Sequence, residues 1–374
     1  SVEGQTARGA GTGGAFPPLS GRREIFMGNS GTGFRLLLPL FALAGGEFLV
    51  TGTARMEERP VGSLVTGLQQ MGVGVSCPKR PGYPPVLVRG KGLQGGVVEI
   101  PGDESSQFLS SLLLAGPYAD ADLEIRVGEG LVSRAYVDLT LEVMKAFGVS
   151  VGREGYRRFV VPGGRGYRSC GAYRVECDVS SASYFWAAAA VTGGTVAARN
   201  VRLLETRQGD AGFVRVLEQM GCTVRIGSQE VTVSGAPLHG VEADMNAMPD
   251  MVPTLAAVAL FARGRTVIRN VRHLRLKESD RLRAIATEWM RLGADVQELE
   301  DGLIIRGNRR LAGTALNPHG DHRIAMSMAV VGARVPGVMI ADERCVQKSY
   351  PGFWEQWNRL QKTPEERFAR RRLP

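Results

Sequence analysis

Five places in this 374-residue sequence set small polar residues directly before a nearly all-apolar run: Gly28-Asn-Ser-Gly-Thr-Gly, Ser105-Ser-Gln, Ser180-Ser-Ala-Ser, Met248-Pro-Asp and Gly320-Asp-His-Arg. A run that is apolar on every side reads as a buried helix, and the polar residues read as its amino end. The first turn of a helix leaves backbone N–H groups without partners and carries a partial positive charge. Each of the five ends can therefore seat a phosphate or a carboxylate. The formal charge of +9 also favours anionic partners. Apart from a run at 367–372, which reads as a solvated tail, the arginines and lysines are dispersed among glycines, small polar residues and acids. That dispersal argues against a nucleic-acid partner and for small anions.

Other chemistries find little support. Cys77, Cys170, Cys177, Cys222 and Cys345 are odd in number and form no C-x-x-C pair, so no disulfide framework or zinc site is expected and a reducing compartment fits. His239, His273, His319 and His322 include no pair at metal-ligand spacing on one helix face, so no bound metal is expected. The richest apolar stretches, 34–45 and 183–194, stop at glycine short of the roughly 18 residues a membrane span needs. A soluble protein with no membrane partner is the expectation.

The elements that must position these helix ends recur. Leu64, Leu68, Met71, Gly72 and Val75 share a pattern with Thr140, Met144, Phe147, Gly148 and Val151. Phe213, Leu217, Met220, Gly221 and Val224 repeat it, as do Ile285, Trp289, Leu292, Gly293 and Val296. The apolar spacing marks an amphipathic helix, the glycine its left-handed cap, and the valine a following strand. The glycines recur about every 75 residues, the sign of an internal duplication. The repeating unit reads as strand, buried helix, strand, amphipathic helix and hairpin. With 44% hydrophobic and 22% charged residues, the chain can fill two cores. Five buried helices are present, and the stretch ending in Arg22-Arg-Glu-Ile-Phe reads as the closing strands of an earlier copy. Six copies complete the pattern. Extrapolation puts a sixth helix start about 45 residues before Ser1, so at least about 55 residues are expected to be absent.

Read in order, Gly28-Asn-Ser-Gly-Thr-Gly-Phe-Arg35, Ala54-Arg-Met-Glu-Glu-Arg-Pro60, Ser105-Ser-Gln-Phe-Leu109, Asp178-Val-Ser-Ser-Ala-Ser-Tyr184, Lys277-Glu-Ser-Asp-Arg281 and Asp321-His-Arg323 resemble 5-enolpyruvylshikimate-3-phosphate synthases. The resemblance runs from Phe26 to Trp357. It implies an α/β fold of two domains built from βαβαββ units, with an active-site cleft between them. The boundary is expected near Val175. Residues 1–175 form an amino-terminal domain of one incomplete and two full repeats, and 176–374 a carboxyl-terminal domain of three full repeats and the basic tail. The implied reaction moves the enolpyruvyl group of phosphoenolpyruvate to the 5-hydroxyl of shikimate 3-phosphate and releases phosphate, without a cofactor.

The resemblance also assigns residues. Gly31, Arg55, Gln107, Arg281, Arg323 and Lys348 match phosphoenolpyruvate-binding positions, where arginine forks suit a phosphate and a carboxylate. Gly31 is expected to leave room for close approach, and glyphosate is implied as an inhibitor competing for that room. Ser105, Ser106, Gln107, Ser133, Tyr136, Asp250, His273 and Lys277 match shikimate 3-phosphate contacts. Asp250 is assigned the acceptor hydroxyl's proton and Glu278 proton exchange with the methylene carbon. Asn29 and Arg35 are supporting residues, and His322 is expected to hydrogen-bond the departing phosphate. Asp178 is expected to orient the crossover between domains. Simpler roles stay open: Ser105 and Asp250 as helix caps, Glu278 as an i,i+3 partner of Arg281, and Tyr136 as a core residue.

The family's opening lysine-serine segment has no counterpart here, so a chain of this extent is expected to be inactive or nearly so. UDP-N-acetylglucosamine enolpyruvyl transferase is the rival enzyme, but the reactive-cysteine loop of that family is not recognisable. A non-catalytic anion-binding remnant is the other alternative. A monomer in the cytoplasm is expected, or in a plastid if a preceding segment carried a transit peptide.

Overall fold

The computed structural model describes residues 2–3, 6–11 and 21–360. The basic run at 367–372 lies outside the described residues. Two compact units divide the chain after Arg174, the first also taking in Leu276–Glu278 and the second holding Val175–Arg275 and the residues from Ser279 onward.

The first unit opens with a short antiparallel pair, β1 (Val2–Glu3) and β2 (Thr6–Ala7). Its first repeat comprises β3 (Arg22–Phe26), α1 (Gly31–Leu43), β4 (Gly46–Thr51), the single turn α2 (Ala54–Glu57), α3 (Gly62–Gln70), β5 (Gly74–Ser76) and β6 (Val86–Gly90). The second comprises β7 (Gly96–Ile100), α4 (Ser106–Ala115), β8 (Leu123–Val127), α5 (Arg134–Ala146), β9 (Gly152–Glu154) and β10 (Arg158–Val161). The sheets have matching order, β3-β4-β6-β5 and β7-β8-β10-β9, with the leading pair parallel and the rest antiparallel. Arg22–Phe26 is thus not the closing strand of an earlier copy. It runs parallel to β4 across α1, because a strand feeding a crossover helix returns beside itself in the same direction.

The second unit is less regular than three full copies. Its first repeat has α6 (Val179–Thr192), β11 (Thr195–Arg199), α7 (Phe213–Gln219), β12 (Thr223–Ile226) and β13 (Glu230–Ser234), in a three-stranded sheet β11-β13-β12 with no leading strand. The next is complete: β14 (Glu242–Asp244), α8 (Val252–Ala259), β15 (Arg265–Arg269), α9 (Arg281–Arg291), β16 (Asp295–Glu298) and β17 (Leu303–Arg306), ordered β14-β15-β17-β16. The last has only β18 (Ala315–Leu316), α10 (His322–Gly332) and β19 (Met339–Ile340), a parallel pair, before α11 (Phe353–Leu360). Once β19 is laid down the chain turns into a 3-10 segment that packs on α10, with no hairpin among the described residues.

Packing follows the two helix types. Every residue of α8 is buried, among α6, α9, α10 and the sheet of its own repeat. Burial of each large apolar side chain contributes about 1.5–3 kcal/mol. The amphipathic helices α3, α5, α7 and α9 close over the sheets, and Gly72, Gly148, Gly221 and Gly293 follow them with φ of 79°, 85°, 113° and 89°. These are left-handed conformations that a residue with a Cβ adopts at a cost. The all-round burial expected of α1 is only partly met: Leu37 is 39% exposed and Leu36 half-buried. α1 packs chiefly on α4 and β6, and these leave Leu36 and Leu37 partly uncovered.

Candidate active site

In the second unit the amino ends of α9 and α10 and the 3-10 turn Pro249–Met251 before α8 bring four charged side chains together. Asp280 caps α9 by accepting from the Arg283 N–H at 3.1 Å, which leaves Arg281 as the first helical residue, facing inward and 1% exposed. Asp321 caps α10 by accepting from the Arg323 N–H at 3.0 Å and is itself fully buried. Arg281 donates from Nε to Asp321 Oδ2 at 2.8 Å and from Nη1 to Asp250 Oδ1 at 2.7 Å. Arg323 reaches the other oxygen of Asp250, with Nη2 at 2.8 Å from Oδ2. Ser279 donates to Asp321 at 3.2 Å.

Asp250 is therefore not a cap. Its turn has no side-chain capping bond, and its carboxylate joins two guanidinium groups. Glu278, in the first unit, lies with its carboxylate 3.9 Å from Arg59. His322, the first residue of α10, is buried with Nδ1 3.9 Å from Asp321. His273 is buried in the 3-10 turn Arg272–Leu276. Lys348 ends the exposed 3-10 turn Glu343–Lys348 that packs on α10. Asp178 caps α6, accepting from the Ser180 N–H at 3.0 Å and the Ser181 hydroxyl at 2.6 Å.

The first unit holds a second cluster. Arg35, 3% exposed, donates to Gln107 Oε1 at 2.9 Å, to Ser105 Oγ at 3.5 Å and to the Pro60 carbonyl at 3.0 Å. Burial, and then the neighbouring charge of Arg59, push its guanidinium down to about 9. Gln107 donates onward to Thr32 Oγ1 at 2.9 Å, and Ser105 caps α4. Arg55 donates from Nε and Nη2 to the Lys277 carbonyl at 3.2 and 3.0 Å. Ser106 is buried at the start of α4, and Ser133 stands before α5 with φ 54° and no side-chain capping bond. Tyr136 is half-buried on the first turn of α5.

The space expected over Gly31 is bounded by an arginine. A Cβ on Gly31 would lie 2.3 Å from Arg59 Nη2, and Arg59 Nη1 donates to the Asn29 carbonyl at 3.2 Å. The sequence reading assigned Arg59 no role, although it falls inside the motif 54–60. Glu288 was missed as well. It is 1% exposed, accepts from the Asn317 N–H at 3.0 Å and lies 3.0 Å from His319 Nε2. Its spacing of i+7 from Arg281 puts both on the inner face of α9, a signal the sequence does carry.

Among the described residues no group of three or more His, Cys, Asp or Glu could hold a metal ion, and no helix is long and apolar enough to cross a membrane. All five cysteines are free.

The sequence matches the family model of EPSP synthase (3-phosphoshikimate 1-carboxyvinyltransferase) over residues 1–357. It is 43% identical over 338 residues to 3-phosphoshikimate 1-carboxyvinyltransferase of Shewanella loihica, covering 90% of this chain and 79% of that protein. Against the protein of that name from Yersinia pestis it is 43% identical over 346 residues, with 92% and 79% covered. An EPSP synthase structure from Acinetobacter baumannii superposes with a TM-score of 0.71 at 31% identity, covering 89% of this chain and 78% of that one.

Proposed function

The chain belongs to the EPSP synthase (3-phosphoshikimate 1-carboxyvinyltransferase) family, and from that premise we propose which of its residues carry the reaction. The reaction transfers the enolpyruvyl group of phosphoenolpyruvate to shikimate 3-phosphate in the shikimate pathway.

The observation that carries the assignment is the grip of Arg281 and Arg323 on the two oxygens of Asp250. Two guanidinium groups that converge on one carboxylate present the donor geometry that a substrate carboxylate or phosphate requires. Phosphoenolpyruvate competes with Asp250 for them, with Lys348, Arg55, Gln107 and Gly31 as its further contacts. Once the substrate anion takes over the guanidinium donors, Asp250 is left able to accept a proton. Ser105, Ser106, Gln107, Ser133, Tyr136, His273 and Lys277 bind the acceptor, with Arg35 and Asn29 in support.

Glu278 gives a proton to the methylene carbon, and the acceptor oxygen bonds to the resulting cationic carbon as its own proton passes to Asp250. The carbon–oxygen bond to phosphate then breaks while the new methyl group returns a proton to Glu278, which restores the vinyl group. His322 hydrogen-bonds the leaving phosphate. These steps are proton transfers and anion binding, which positioned side chains supply. Glyphosate is proposed as an inhibitor competing with phosphoenolpyruvate. A monomer is proposed, and a reducing, cytoplasmic compartment accords with the five free cysteines.

The test is phosphate release measured with each substrate alone and with both together. Release that requires both phosphoenolpyruvate and shikimate 3-phosphate is expected, and release driven by UDP-N-acetylglucosamine as acceptor would overturn the reading.

A further inference from the structure

Asp210 lies in the 3-10 turn Gly209–Gly212 that leads into α7 and is 3% exposed. The reaction steps above do not use it. One carboxyl oxygen, Oδ2, hydrogen-bonds the hydroxyl of Ser180 on the first turn of α6. The other, Oδ1, is buried and has no hydrogen-bond partner among the described residues. An ionised carboxylate can accept about four hydrogen bonds, so one that is buried with a single donor is poorly satisfied and its neutral form is favoured.

The surroundings act in the same direction. Burial raises the carboxyl, and the negative charge of Asp250 raises it further. Asp178, the cap of α6, adds a smaller push of the same sign, while Arg323 and the Ser180 hydroxyl pull down, leaving it at about 6. From α7 no charge opposes this, because Arg215 and Glu218 pair with each other at 2.9 Å on the exposed side. Counted with Asp210 neutral, the group Asp250, Asp321, Arg281 and Arg323 carries two negative and two positive charges. Ionising Asp210 makes the set net negative, where the proposed function has it bind an anion.

We propose that Asp210 is a positioning residue that keeps a proton beside the turn carrying Asp250, against which its own turn packs, and so sets how strongly this cluster holds an anionic substrate. The inference rests on the proposed function of Arg281 and Arg323 as anion anchors and adds a control residue to it. A buried acid that is neutral when the anion arrives costs the complex nothing, whereas an ionised one repels it. Binding therefore raises the proton affinity of Asp210, and the complex takes up a proton above the point where Asp210 ionises.

The test uses inorganic sulfate, whose charge is fixed from pH 5 to 8, titrated calorimetrically into the full chain. Sulfate affinity is expected to fall about tenfold as pH rises through about 6, the size expected for one charge appearing within several ångström at intermediate dielectric. Asp210→Asn, which keeps the shape and the bond to Ser180, is expected to hold the tighter, low-pH affinity across the range. Ser180→Ala removes the hydrogen bond that favours the ionised form and is expected to move the midpoint upward. Every other ionisable group is common to the parent and Asp210→Asn, so the difference between the two proteins reads Asp210.

Identical pH profiles for the parent and Asp210→Asn would overturn the proposal. So would an affinity independent of pH that Arg323→Gln abolishes, a result that leaves the anion-anchor reading standing. Sulfate binding that is absent at every pH, or indifferent to Arg323→Gln, sinks that reading and this proposal with it.

Discussion

Asp250 holds Arg281 on one carboxylate oxygen at 2.7 Å and Arg323 on the other at 2.8 Å. An internal carboxylate that already satisfies both arginines competes with any external anion for them. Asp250→Asn keeps an acceptor of the same shape but removes the charge. Turnover is expected to fall by about 10² to 10⁴, the range for losing a positioned proton acceptor. Phosphoenolpyruvate is expected to bind as tightly as before or tighter. Steady-state rates and an equilibrium binding isotherm check the two halves separately, and parallel losses in both would contradict the competition.

Glu278 approaches Arg59 at 3.9 Å, and its side chain is 11% exposed. Glu278→Gln retains the volume and a hydrogen-bonding end, so the first unit is expected to unfold at an unchanged temperature while turnover drops by about 10² or more. Exchange of the methylene hydrogens of phosphoenolpyruvate with solvent is the specific readout, and it should disappear. A variant that loses thermal stability and retains exchange would assign Glu278 a purely structural role.

Much of this arrangement is legible in the sequence because its signals are local. Small polar residues ahead of an apolar run give the helix starts at Gly31, Ser106, Val179 and His322, and each turn glycine after an amphipathic helix has the left-handed φ its position requires. The motif at 277–281 and the Asp321-His-Arg323 triplet mark the arginines. What the sequence hides is which carboxylate meets which arginine. Asp321 and Arg281 are 40 positions apart and meet at 2.8 Å because both begin helices. Asp210 and Ser180, 30 positions apart, meet because a 3-10 turn packs on α6. A lone aspartate in a glycine-containing loop has the look of a surface residue until the loop is placed. Arg22–Phe26 departs from its expected place as a closing strand for a related reason: strand patterns carry no sign of which neighbour a strand will join.

Gly31 faces the Arg59 guanidinium so closely that an added Cβ would sit 2.3 Å from Nη2. The obstructing atoms are the far end of a flexible side chain, so Gly31→Ala is expected to fold. Arg59 must then shift from the Asn29 carbonyl and from Glu278. The Michaelis constant for phosphoenolpyruvate is expected to rise and inhibition by glyphosate to weaken, measured as inhibition constants at varied phosphoenolpyruvate. An inhibition constant unchanged by the substitution would show that Arg59 moves without consequence for the ligand.

Glu288 fastens the loop ahead of α10 by accepting from the Asn317 N–H and pairing with His319, both at 3.0 Å. That loop delivers Asp321 to Arg281. Glu288→Ala removes the acceptor of the Asn317 N–H and the partner of His319, two residues that face solvent, a loss of about 1–2 kcal/mol. The second unit should melt at a lower temperature in differential scanning calorimetry, and affinity for phosphoenolpyruvate should fall with it. Glu288→Gln, which can still accept from Asn317, is expected to recover most of the loss.

The stability of the second unit should carry the mark of Asp210. Its carboxyl is raised from 3.8 to about 6 in the folded chain. A folded-state value above the unfolded one means that the native state binds the proton more tightly. Below about pH 4 both states are protonated and the stability is fully present. Between about pH 4 and 6 the unfolded chain releases the proton first, so stability declines, and above 6 the decline is complete. The span of about two units corresponds to roughly 3 kcal/mol as an upper figure. Asp210→Asn is neutral at every pH and should escape that decline. It is expected to match the parent near pH 4 and to exceed it above pH 6, read as urea-unfolding midpoints at several pH values. Other carboxyl groups titrate in the same window, but they do so in both proteins and cancel in the difference. Equal midpoints for the two proteins at pH 7 would mean that Asp210 ionises without cost, so that the missing partner of its Oδ1 is supplied by solvent.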